Sequence, residues 1–259
     1  DHQWPAIYTG HFYSNSKSGN YMNNFWAGWA PASCMPTNCF CESVSMGELI
    51  RQPSNSWSSL SFVVSAIFII WAMTRVNNIP ENQLARNKSL VYLYAFSCFL
   101  VGVGSFFYHA SLSFVGQWID VMGMYLSVTF FILYNVYRLR TWRPISFYFS
   151  YFLLNILLGY LLYFYPHARR YLFGSFIFIL ICSIIYAQLK LRTMINHRYI
   201  ISAITAFLLG FTIWILDIKK IACQGDSLLQ GHAFWHFFTA LAGLLIYFYY
   251  LSERDNRKV

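Results

Sequence analysis

Charge is what this sequence has least of. Asp, Glu, Lys and Arg make up only 10% of its 259 residues, and nine of them are acidic, where an ordinary soluble domain carries about 25% charged residues. So little charge cannot cover a water-soluble fold of this length, and that class is excluded. Internal repeats and low-complexity tracts are missing as well. The connections between apolar runs are too short to hold a second domain. The first 56 residues lack a starting Met and the apolar core of a secretory leader, which leaves open a trimmed N-terminus. Rich in Gly, Asn, Ser and aromatics, they are expected to form an exposed or interfacial cap.

Apolar side chains are present in excess, with 58% hydrophobic and 21% aromatic residues. Seven runs, at 57–75, 90–110, 118–137, 145–165, 170–189, 200–218 and 233–251, are each about long enough to cross a hydrocarbon layer about 30 Å thick. The pattern predicts an all-α fold, a seven-transmembrane helix bundle with an N-terminal extramembrane cap. Its expected parts are a cap at 1–56, a bundle at 57–251 and a tail at 252–259.

Basic residues set the expected orientation. Connections 75–89, 138–143 and 190–199 and the tail hold 12 of the 18 Lys and Arg, and the opposite side holds Lys17, Arg51, Arg169, Arg170, Lys219 and Lys220. The positive-inside rule then puts the C-terminus in the cytosol and the N-terminus outside or in a lumen. A net charge of +9 reads as topology and attraction to anionic lipid, so no nucleic-acid partner is expected.

Cys34, Cys39, Cys41 and Cys223 fall on that outer side, which suggests disulfides. A zinc knuckle competes, although clustered cysteines without a nearby His are a weak metal signature. Cys98 and Cys182 lie within spans and are expected to be small core hydrophobes.

Few ionisable groups lie within the spans, where each costs at least about 2.5 to 3.5 kcal/mol at the bilayer centre and is expected to face a cavity or a partner. His109 ends the second span, Asp120 begins the third, Asp217 ends the sixth, and His232 and His236 begin the seventh. All five are expected at the outer end. His232 and His236, four apart on one helix face, can share an ion, with His109 as a third nitrogen. Such a site predicts one zinc per chain, which would lower the pKa of a water from about 15.7 to about 7. Asp120 is placed to move that water's proton. Ser105, one turn before His109, is placed to hold the water or a developing oxyanion. The plainer readings are two interfacial histidines and a serine that packs helices. Asp217 can instead pair with Lys219 or Lys220, or bond to the cap. His2, His11, His167 and His197 lie in the cap or in connections.

The stretches "GSFFYHASLSFVGQWID", "WILDIKKIAC" and "GHAFWH" resemble the alkaline ceramidases, over roughly residues 39 to 251. Their superfamily also holds the adiponectin and progestin receptors and the GPI-remodelling lipid hydrolases. The resemblance implies zinc on His109, His232 and His236, catalytic roles for Asp120 and Ser105, and a membrane lipid of ceramide type as substrate. It also implies a disulfide between Cys41 and Cys223, leaving Cys34 and Cys39 as a local pair. A calcium site near the N-terminus is implied as well, yet of its positions only Glu42 is acidic here, the others reading Cys39, Val44 and Gln52. "CE" at Cys41 and Glu42 and the Trp, Asp and Cys of "WILDIKKIAC" tilt the resemblance to ceramidase. A lipid esterase of the GPI-remodelling type and a receptor with a vestigial zinc site are the alternatives.

Overall fold

A computed structural model describes residues 25–35, 39–75, 82–140 and 142–254. The expectations for residues 1–24 of the cap, with His2, His11 and Lys17, and for Arg257 and Lys258 of the tail lie outside the described residues.

Lipid offers no hydrogen-bond partners, so an apolar segment must satisfy its own backbone, and a helix does so. The helices are α1 (Pro53–Ser58), α2 (Leu60–Arg75), α3 (Gln83–Arg86), α4 (Lys88–Ser111), α5 (Phe114–Leu139), α6 (Pro144–Phe164), α7 (Arg169–Leu191), α8 (His197–Ile218) and α9 (Gly231–Leu251). Seven spans long and apolar enough to cross a membrane result, with α1 and α2 forming the first. Three of them, Pro53–Arg75, Phe114–Leu139 and Pro166–Leu191, start four residues before the apolar runs at 57, 118 and 170. Their starts are set locally, with Pro near the start of the first and Ser113 Oγ accepting from Gly116 N–H at the start of α5.

Helices α4 and α5 form the centre, and each is more buried than any other span. Around them α2 packs on α4, α6 and α7 pack on α5, and α9 joins α2 to α8. Helices α7 and α8 barely touch each other. Only Leu180, Ile184 and Ala187 of α7 are buried, a single stripe at helical spacing. Cys182 lies off that stripe and is exposed, which corrects its expected place in the core, whereas Cys98 is buried.

The end of the bundle that carries the histidines is organised by the cap. A helix leaves its last carbonyls without partners, and at the end of α4 the cap supplies them. Gln52 N–H donates to His109 O, Arg51 N–H to Ala110 O and the Arg51 guanidinium to Ser111 O. Leu112, in the left-handed region at φ 47°, turns the chain sharply from α4 into α5. Disulfides join Cys34 to Cys39 and Cys41 to Cys223, so the four thiols are not a zinc knuckle. The second bond ties the cap to the connection between α8 and α9.

The opposite end of the bundle holds a different cluster. Arg138 of α5 forms a buried ion pair with Glu253, and its side chain also donates to Asn135 Oδ1. Asn82 Nδ2 lies 2.9 Å from the carbonyl oxygens of Tyr250, Leu251 and Glu253, holding the end of α9.

Candidate metal centre

His109 sits in the last turn of α4, and His232 and His236 share a face of α9 one turn apart. Their rings are 4.9 Å (His109 to His232), 5.1 Å (His109 to His236) and 4.5 Å (His232 to His236) from centre to centre. All three residues are buried, and one nitrogen from each lies within 4.8 Å of the others, a group that could hold a metal ion. His109 Nε2 and His232 Nδ1 are buried without hydrogen-bond partners. An orphaned buried ring nitrogen is costly, and two of them facing a third imidazole fit a cation with nitrogen ligands.

Ser105 and Asp120 are brought to the same place. Ser105 Oγ lies 3.3 Å from His236 Nε2 and close enough to interact with the half-buried Asp120 carboxylate. Gly104 makes this approach possible, because a Cβ there would meet Ile119 Cγ2 at 2.9 Å and Asp120 N at 3.1 Å. Small residues at such crossings let helices in lipid pack backbone to backbone. Ser105, Asp120, His232 and His236 line one end of a cavity of about 360 Å³ that extends between α4, α5, α7, α8 and α9. Beyond that polar end its walls are apolar, among them Val128, Phe131, Ile177 and Ile246.

Three further side chains hold the histidines, and the sequence singled out none of them for this task. His236 Nδ1 is 2.9 Å from Ser58 Oγ. His109 Nδ1 is 3.0 Å from Gln52 Oε1. Asp217 accepts the His232 backbone N–H with one oxygen and the Cys41 N–H with the other, each at 3.1 Å. It therefore bonds to the cap, as one of its readings had it, and among the described residues it forms no ion pair with Lys219 or Lys220.

The sequence model of the ceramidase family matches residues 38–257. The chain belongs to the ceramidase family. Two proteins of Dictyostelium discoideum named as candidate alkaline ceramidases are similar along most of their length. One, dcd3A, is 28% identical over 260 residues, covering 86% of this chain and 87% of the relative. The other, dcd3B, is 25% identical over 263 residues, covering 88% and 87%.

Within this family member the positions that the resemblance gives to calcium are otherwise engaged. The Glu42 carboxylate accepts from Ser54 N–H at 2.7 Å and Asn55 N–H at 2.9 Å, capping α1. Cys39 is in a disulfide, Val44 offers no side-chain oxygen, and Gln52 faces His109. This donor set does not fit a hard cation that wants six to eight oxygens.

Proposed function

We propose that this chain is an intramembrane zinc-dependent amidase that cleaves the N-acyl bond of ceramide or a similar sphingolipid, releasing a sphingoid base and a fatty acid. The observation that carries the reading is the pair of orphaned ring nitrogens, on His109 and His232, in a three-histidine cluster whose His232 and His236 line a mostly apolar cavity. The donors are three neutral imidazoles, the set that catalytic zinc sites use. Held by His109, His232 and His236, zinc would supply a Lewis acid that polarises the amide carbonyl and acidifies a water.

The chain's own groups account for the rest. Asp120 takes the proton of the attacking water and passes it to the leaving amine, which departs poorly without one. Ser105 donates its hydroxyl proton to the oxygen on which charge develops. The apolar walls receive the acyl chain, and burial keeps bulk water from weakening these interactions. Membership of the ceramidase family supports an amide over an ester as the bond cleaved.

On this reading the cap, at 1–56, faces the lumen or exterior, the bundle spans the membrane, and the tail from 252 lies in the cytosol. The charge count supports that orientation.

Detergent-solubilised protein given a ceramide, a matched lipid ester and a GPI-type phospholipid tests the proposal through fatty-acid release. Release from the ceramide that stops on chelation is the expected result. Ester cleavage alone would point to the remodelling lipases, and no release with metal still bound would point to a receptor.

A further inference from the structure

Gln52 stands between the cap and a histidine of the candidate centre, fully buried. Its amide makes two contacts of opposite kind. Nε2 is 3.0 Å from the backbone carbonyl of Glu42, and Oε1 is 3.0 Å from His109 Nδ1. The backbone of the same residue donates to His109 O at 3.2 Å.

The two ends of a glutamine amide and the two tautomers of a neutral imidazole are distinguished by what each nitrogen and oxygen faces. A backbone carbonyl can only accept. The group facing Glu42 O must therefore be the amide nitrogen, and the group facing His109 must be the oxygen. An amide oxygen also only accepts, so His109 Nδ1 must carry the proton. That leaves the lone pair on Nε2, the nitrogen with no partner. One fixed carbonyl in the cap thus decides, through two hydrogen bonds, which nitrogen of His109 is free to bind an ion.

We infer that Gln52 is a positioning residue that locks His109 in the tautomer with Nε2 available to the metal. The inference rests on the reading of His109 as a ligand. Glu42 completes the arrangement, because its carboxylate fixes Ser54 and Asn55 at the start of α1 while its carbonyl fixes Gln52. Partners of this kind orient a ligating imidazole, and removing one typically lowers metal affinity about 10- to 100-fold.

The test uses the full-length protein in detergent, stripped of metal and titrated with cobalt(II), whose ligand-field absorption reports nitrogen coordination without any turnover. Gln52→Met, close to glutamine in shape but unable to accept, is expected to weaken cobalt binding about 10- to 100-fold and alter the absorption bands. Gln52→Glu, whose buried carboxyl in its neutral form can donate to Glu42 O while its other oxygen accepts from His109 Nδ1–H, is expected to hold cobalt close to wild type. His109→Ala serves as control and is expected to abolish the nitrogen-ligand spectrum. If His109→Ala binds cobalt like wild type, the ligand reading itself fails. If His109→Ala loses the ion but Gln52→Met keeps wild-type affinity and bands, the positioning role is overturned. Equal losses in Gln52→Met and Gln52→Glu would also overturn it, because packing rather than acceptance would then be what Gln52 provides. Metal-free melting temperatures separate this from a folding defect: a purely structural Gln52 would lower them while leaving the cobalt-induced rise unchanged, and that result too counts against the inference.

Discussion

Asp217, at the end of α8, accepts the backbone N–H of His232, at the start of α9, while its second oxygen accepts from Cys41 in the cap. Gly231 leaves room for this, since a Cβ there would meet Asp217 Cβ and Oδ1 at 3.0 Å. One carboxylate thus fastens a helix that carries two of the three histidines to both its neighbours.

Removing it is expected to be costly. Asp217→Ala strips two buried charge-assisted bonds and should lower stability by about 1.5 to 3 kcal/mol for each one lost. Asp217→Asn, which keeps one accepting oxygen, should fall between. Thermal unfolding in detergent ranks the three proteins, and an unchanged midpoint in Asp217→Ala would contradict the assignment.

Ligands and proton carriers should separate cleanly. Elemental analysis of purified protein should find about one zinc per chain, lost in His109→Ala and His236→Ala. Asp120→Ala should retain the metal while its turnover falls about 10²- to 10⁴-fold. Metal lost from Asp120→Ala would instead make that carboxylate a ligand.

Glu42 gives the cap a pH dependence. Burial raises its carboxyl above the ordinary 4.5, outweighing the N–H groups of Asn55 and Ser54 that lower it. A group whose folded value is raised adds stability in full below its unfolded value and loses that contribution as pH climbs through the folded one. Stability should accordingly drop as pH rises from 4.5, and Glu42→Gln should flatten that part of the curve. Melting temperatures of both proteins across this range, compared by difference, check the sign.

At the end of the bundle away from the histidines, Arg138→Ala would leave Glu253 buried without its countercharge, which costs about 3 to 5 kcal/mol. Arg138→Met combined with Glu253→Gln should cost much less than the single change. Parallel thermal scans decide this, and a double variant as unstable as Arg138→Ala would refute the argument.

The spans and the histidine cluster were legible in the sequence because their signals are local. Apolar runs show themselves within about 20 residues, and His232 and His236 disclose a shared face by spacing alone. His109 and Asp120 followed from depth, since one lies near the end of α4 and the other near the start of α5. Gln52 and Ser58 had no such signal, because their bonds to His109 and His236 join residues 57 and 178 apart in the chain. Neither partner's type announces the contact. Cys182 was misjudged because a span reads as apolar on all sides, and only the packed bundle shows which stripe of α7 faces inward.

The anchoring of α9 distributes stiffness unevenly. Its start is tied through Asp217, and its end is tied by Asn82 and by the ion pair of Arg138 with Glu253. It is a strut clamped at both ends, and the adjoining α4–α5 pair is the most enclosed part of the bundle. Helices α7 and α8 form another wall of the cavity, with most of their surface facing away from the bundle and the Arg170 guanidinium 5.4 Å over the Trp214 ring as a bridge between them. Helix α8 is packed along α9 and holds His232 through Asp217, so an occupant larger than the cavity must take its space by displacing α7 from its seam with α8.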